Sequence, residues 1–104
     1  MVRLPMSDRR TAARKPVRFL VQHQTSTEGG YELDYASDLS PGGLFISSRA
    51  TPVPFSTVHV QFAPNKDGAL VSTFARVTHV TNEGFGAAFI GLDPETEALI
   101  DSAL

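Results

Sequence analysis

The 104-residue sequence predicts an all-β fold: a six-stranded antiparallel β-barrel with a short C-terminal helix and a flexible N-terminal arm. Three observations carry this expectation. Six short segments alternate apolar and polar residues with the period of two that marks strands. Clusters of Gly, Pro, Asn and Asp punctuate the chain between them. Helix signals occur only near the C-terminus, and residues 1–13 carry no apolar periodicity.

In order along the chain, residues 16–25 alternate through Val17, Phe19 and Val21, the pattern of a half-buried strand. Residues 26–30 end in two glycines, which permit a turn. Tyr31, Leu33 and Tyr35 alternate with Glu32 and Asp34, giving the second strand of a hairpin. Residues 38–43, Asp-Leu-Ser-Pro-Gly-Gly, read as a turn cluster, and residues 44–47 as a short strand. A loop at residues 51–54 leads to a strand through Val58, Val60 and Phe62. After a polar turn at 64–68, residues 70–81 form a long strand. Its alternation puts Phe74, Arg76, Thr78 and Val80 on one face and Val71, Thr73, Ala75, Val77 and His79 on the other. Asn82-Glu83-Gly84 closes a turn, and Phe85, Ala87 and Phe89 mark the last strand. Asp93 is suited to cap a helix with Pro94 at its first position. Glu95 and Glu97 lie near the positive end of the helix dipole, and Ala98, Leu99, Ile100, Ala103 and Leu104 offer an apolar side that could cover one end of a barrel.

The length fits one domain, divided here into a basic arm over 1–13 and a barrel with its helix over 14–104. Without cysteine there are no disulfides, no thiolate chemistry and no Cys-ligated metal. No apolar run is long enough to span a membrane and no signal-peptide core is present, so the expected compartment is the cytoplasm. The net charge of −2 is unevenly spread: residues 1–18 hold Arg3, Arg9, Arg10, Arg14, Lys15 and Arg18 against Asp8 alone. A basic arm on an acidic body suggests a local site for an anion.

The search for catalytic chemistry is negative. His23, His59 and His79 lie in strand segments without the helical spacing of a zinc protease, and read as half-exposed strand histidines, with His59 and His79 possible cross-strand neighbours. There is no nucleophile elbow, Walker loop or dinucleotide fingerprint. The expectation is a binding protein, not an enzyme, with neither catalytic residues, cofactor nor metal. Two features remain. Arg10-Thr11-Ala12-Ala13-Arg14 is an R-x-x-x-R, with Arg9 beside it; arginine forks bind phosphate bidentately and pair with guanine O6 and N7. Asp38-Leu39-Ser40-Pro41-Gly42-Gly43 is a D-x-S-x-x-G. Its Asp38 can accept from guanine N–H groups, the Ser40 hydroxyl can donate and accept, and Gly42 and Gly43 let backbone N–H groups approach a ligand. The same segment also suits an Asx- or ST-turn joining two strands.

The two motifs in this order, with the apolar continuation 43–46, the strand 75–77 and the stretch 84–89, resemble the PilZ domain family from about Arg9 to the helix. The resemblance implies a receptor for the second messenger cyclic di-GMP. Arg10 and Arg14 match the arginine pair, Asp38, Ser40 and Gly43 match the second motif, and Arg9 is a helper on the arm. It also implies a downstream protein partner reading the liganded surface, in the setting of bacterial motility. The main alternative is a PilZ-like adaptor that binds proteins without nucleotide. A single-stranded nucleic-acid barrel is disfavoured by the acidic body and the lack of interleaved aromatic and basic residues, so neither DNA nor RNA is expected as a partner.

Overall fold

The computed structural model describes residues 15–25, 29–65 and 68–104. Within them six strands form a closed antiparallel barrel: β1 (Lys15–Gln24), β2 (Glu32–Ser40), β3 (Gly43–Ser47), β4 (Thr57–Phe62), β5 (Val71–Thr81) and β6 (Gly84–Ile90). Their order around the barrel is β1-β2-β3-β6-β5-β4, with β4 returning to pair with β1. One helix follows, α1 (Pro94–Ser102). The expected six-stranded antiparallel barrel with a short C-terminal helix is what is found.

The inward side chains form one buried cluster that includes Val21, Leu39, Ile46, Val60, Phe62, Val77, Phe85 and, from the helix, Ile100. At the end of the barrel nearest α1, Phe19 stacks on Phe62 with ring centroids 5.3 Å apart, and Phe62 on Phe89 at 6.0 Å. The helix is held at that end from two sides. The Lys15 ammonium donates to the Ala103 carbonyl, and the Asn65 amide donates to Leu99 O and Ser102 Oγ. Asp93 accepts from the Thr96 backbone N–H at 2.8 Å as the N-cap, with Pro94 opening the first turn, as the sequence predicts. The Thr96 backbone N–H, and after it the Thr96 side chain, hold the Asp93 carboxyl below its ordinary range.

Four expectations need correction. The turn expected at 38–43 is shorter: Asp38, Leu39 and Ser40 belong to β2, and only Pro41 and Gly42 turn. Two irregularities shift the pattern of faces. A slip in register between Ala36 and Asp38 leaves both Ala36 and Leu39 buried although three positions separate them. A second slip, between Val77 and His79, turns His79 outward and Val80 inward, so the alternation predicted for β5 breaks after Val77. His23 is completely buried rather than half-exposed, and His59 and His79 are not cross-strand neighbours: they pair with Phe74 and Gly86.

The apolar side of β2 faces out. Leu33 and Tyr35 are exposed, with Leu20 opposite Tyr35 on β1 and the Arg18 guanidinium 4.1 Å above the Tyr35 ring. The residues of β2 that turn inward are Asp34, Ala36 and, after the slip in register, Leu39.

Candidate functional site

The register of β1 and β2 organises the candidate site. Lys15 lies opposite Leu39, and Pro16 opposite Asp38. The chain therefore enters β1 beside the first two residues of the D-x-S-x-x-G segment, and α1 is tied to the same end of the barrel through Lys15. Arg9, Arg10 and Arg14, with the whole arm over 1–13, lie outside the described residues.

Asp38 sits on the outer face at the β2 irregularity, half-buried, between Pro16 on β1 and Phe45 on β3. Asp38 thus sits beside Pro16, near the start of β1. Ser40 does something else. Its hydroxyl oxygen accepts from the N–H groups of Gly42 and Gly43, at 3.3 and 3.2 Å, and lies 3.2 Å from the Gly43 carbonyl. It is the cap of the two-residue turn, an ST-turn in form. The Gly42 carbonyl accepts from the Phe89 N–H at 2.8 Å, which fastens the turn to β6. Gly43 is fixed by packing: a Cβ there would fall 2.2 Å from the Ala87 carbonyl oxygen, because β3 and β6 approach closely at Gly43–Ala88.

Sequence reasoning missed three residues on this surface. Phe45 is opposite Asp38, Gly86 is opposite Phe45, and His79 is opposite Gly86, so the four make one row across β2, β3, β6 and β5. The position of Phe45 between buried Leu44 and Ile46 signalled an outward ring; nothing local connects residue 45 to residue 79.

A second polar cluster lies at the opposite end of the barrel. His23 Nε2 is 2.8 Å from Asp34 Oδ2, while Nδ1 is buried with no hydrogen-bond partner among the described residues. Glu32 brings a third potential ligand atom within 4.8 Å of the others. The group does not fit a metal centre well: a ligating imidazole normally donates its second N–H to a partner that orients it, and Nδ1 has none. On the outside, His59 bridges Tyr31 OH at Nδ1 (2.8 Å) and Ser72 Oγ at Nε2 (3.2 Å), with its ring edge against Phe74. These contacts tie β5 and the start of β2 to β4 across the barrel wall.

A closed antiparallel barrel of six strands with a helix fastened over one end, and a glycine-pinned hairpin beside the first strand, defines a class of small β-barrel domains. The chain belongs to the PilZ domain family, whose model matches residues 8–104. Solved structures agree in fold. The structure of the Bacillus subtilis inhibitor of motility MotI/DgrA superposes with a TM-score of 0.73 at 14% identity, over 88% of this chain and 47% of that one. This chain thus spans about half the length of that protein. The PilZ domain of CeSA from a cellulose-synthesizing bacterium gives 0.68 at 19% identity, covering 85% of this chain and 90% of that one. The PilZ domain of YcgR from Escherichia coli, solved with cyclic di-GMP, gives 0.69 at 14% identity, covering 85% and 82%. No curated protein sequence matches the chain significantly. Among the described residues no helix is long and apolar enough to cross a membrane.

Proposed function

We propose that this chain is a non-catalytic receptor for cyclic di-GMP, bound on the outer face of the barrel between the β2–β3 hairpin and the start of β1. The observation that carries the reading is the pairing of Pro16 with Asp38: the strand that follows the R-x-x-x-R segment in sequence runs beside the strand bearing the D-x-S-x-x-G motif. The PilZ membership and a fold neighbour solved with cyclic di-GMP support the ligand. In this reading Arg10 and Arg14, with Arg9 assisting, hold phosphates and a guanine from the arm over 1–13, and Asp38 accepts from a guanine edge. Ser40, Gly42 and Gly43 keep the hairpin in the shape that presents Asp38. Binding orders the arm against the barrel domain of 14–104, and a protein partner reads the new surface. Ordering costs about 1–2 kcal/mol per fixed residue, and each charge-assisted hydrogen bond returns roughly 1.5–3 kcal/mol, so both motifs are needed to offset it.

Titration calorimetry with cyclic di-GMP tests the reading. Arg14→Ala and Asp38→Ala are expected to weaken binding about tenfold to more than a hundredfold while leaving the fold intact. Arg10→Lys keeps the charge but loses the planar fork, and is expected to lose most of the affinity. Wild-type affinity in Arg10→Lys at physiological salt would reduce the clamp to a basic tail. Amide relaxation around residues 9–14, with and without nucleotide, reads the ordering step.

A second reading is favoured by one observation: Ser40 and Gly43 have structural roles that would retain them in a barrel that binds no nucleotide. In that case the chain is an adaptor for a signalling or motility protein, a role consistent with the likeness to an inhibitor of motility. Calorimetry without heat at any cyclic di-GMP concentration selects it.

A further inference from the structure

The outer wall centred on β5 is aromatic, and neither motif contributes to it. Strand β5 lies three places from β2 in either direction around the barrel, so this wall faces away from the candidate nucleotide site. Across it, Phe74 stands opposite His59 on β4 and Ile90 on β6. The His59 ring meets Phe74 edge-on with centroids 4.8 Å apart, and Tyr31 adds a further ring 5.9 Å from His59. Arg76, two residues further along β5, lies on the same side, its guanidinium carbon 5.8 Å from the centre of the Phe55 ring. Single exposed apolar residues are ordinary, whereas a continuous exposed row marks a contact surface. Here Phe74 is 55% exposed, and Tyr31 and Ile90 are each 44% exposed.

Phe55 is held on this wall against its own backbone preference. The Ser56 N–H donates to the Val53 carbonyl at 3.1 Å and closes a four-residue turn, with Pro54 second and Phe55 third. Phe55 has a φ of +70°, which the third position of a type II turn requires and glycine normally supplies. Among the described residues no other non-glycine residue has a positive φ. A bulky side chain in that region is strained, and the Phe55 ring is 66% exposed, so burial within the chain does not offset the strain. The Phe55 N–H donates to the Val77 carbonyl at 2.8 Å, which fastens the turn to β5 and keeps the ring beside Arg76.

Charge selects the occupant. The chain has 11 Asp and Glu residues, yet β4 and β5 contain none. Among the described residues Arg76 has no carboxylate within ion-pair distance. A second copy docked through the same wall would bring Arg76 towards Arg76 with no carboxylate from β4 or β5 to compensate. We propose that this wall docks an acidic amphipathic segment of another protein, whose apolar side covers Phe55, Phe74 and Ile90 and whose carboxylate pairs with Arg76. Aromatic residues and Arg are the side chains that carry most of the energy of such contacts. Occupation of the wall is independent of the nucleotide, because the two surfaces lie on opposite sides of the barrel.

The probe is a synthetic helical peptide with Leu and Phe on one side and Glu on the other, titrated into the full chain and followed by NMR. A counterpart with Lys in place of every Glu is the control. The acidic peptide is expected to shift the resonances of Phe55, His59, Phe74, Arg76 and Ile90, with or without cyclic di-GMP, and the basic one to leave them in place. Phe74→Ala and Arg76→Ala should raise the Kd about fivefold or more, the loss typical of a truncated anchor, at an unchanged melting temperature, since both residues are exposed. Arg76→Glu should reverse the preference between the two peptides. Phe55→Gly should weaken binding without lowering the melting temperature, because glycine accepts the φ of the turn. Equal binding of the two peptides would remove the charge selection and with it the proposal. Shifts confined to other walls of the barrel, or none at millimolar peptide, would remove the site. Sedimentation that shows self-association, lost in Phe74→Ala, would make the wall a contact between copies and overturn the proposal as well.

Discussion

At the end of the barrel that carries α1, Phe19, Phe62 and Phe89 stack inside, and the described polar residues of the candidate site, Asp38 and Ser40, flank buried Leu39 on the outside. At the opposite end the interior itself is polar: His23 is fully buried against the edge of the Phe85 ring and bonded to Asp34. The first arrangement separates stability from recognition, so a surface residue can be tuned to a ligand without disturbing the stack beneath it. The second places a polar pair inside the core, where its two members depend on one another. A substitution at the first end should therefore affect either folding or binding, and one at the second should affect folding through the partner left behind.

The largest expected effect is at the aromatic stack. Phe62→Ala removes the central ring of three and should cost about 3–5 kcal/mol of stability in urea unfolding. A loss well under 2 kcal/mol would mean that the helix end collapses around the hole and that the stack is not what closes it. Next is the hairpin. Gly43→Ala drives a methyl into the backbone of Ala87, and strain of about 1–3 kcal/mol is expected, whether or not nucleotide is present. A variant that keeps its stability but loses cyclic di-GMP would assign Gly43 to the ligand instead of to packing.

The polar end gives an asymmetric pair. Asp34→Ala leaves both ring nitrogens of buried His23 without a partner among the described residues, and should cost about 1–3 kcal/mol. His23→Leu fills similar space with apolar atoms and leaves Asp34, which is 26% exposed, to water; its cost should be smaller. Equal losses would mean that the pair acts as one interaction and that burial of Nδ1 carries no penalty. The smallest effect concerns the helix cap. The Asp93 carboxyl titrates below its ordinary range in the folded protein, so its contribution is present above the unfolded value and fades as pH falls through the folded one. Asp93→Ala should abolish that part of the acid dependence in thermal melts and leave the neutral-pH barrel folded.

The architecture was legible because each strand carries its own alternation, and the helix its own cap. What local pattern could not supply is the relation between strands. The irregularity at Ala36–Asp38 lengthens β2 and moves Asp38 from a loop into a strand, and no residue type announces it. The slip after Val77 exchanges the faces of His79 and Val80 for the same reason. His23 is instructive, because the alternation Val17, Phe19, Val21 continues onto it and puts it inside; the polarity of imidazole argued the other way, and the compensating Asp34 comes from β2. In the candidate site, Asp38, Ser40, Gly42 and Gly43 were visible as a motif, but that Ser40 and Gly43 shape the hairpin emerged only from contacts with the turn and with β6. The row of Asp38, Phe45, Gly86 and His79 is drawn from four strands, and no local pattern connects them.

Because β4 returns to β1, every strand of the barrel has a neighbour on both sides, and the wall has no free edge. Another chain cannot extend this sheet by adding a strand of its own, the commonest sequence-blind mode of β-association. The outward Leu20, Leu33 and Tyr35 are thereby protected from templating a fibre, even though they form an apolar alternation on paired strands. Any protein that recognises this barrel must do so through side chains, loops or the helix, so its choice of partner is written in residues that single substitutions can change.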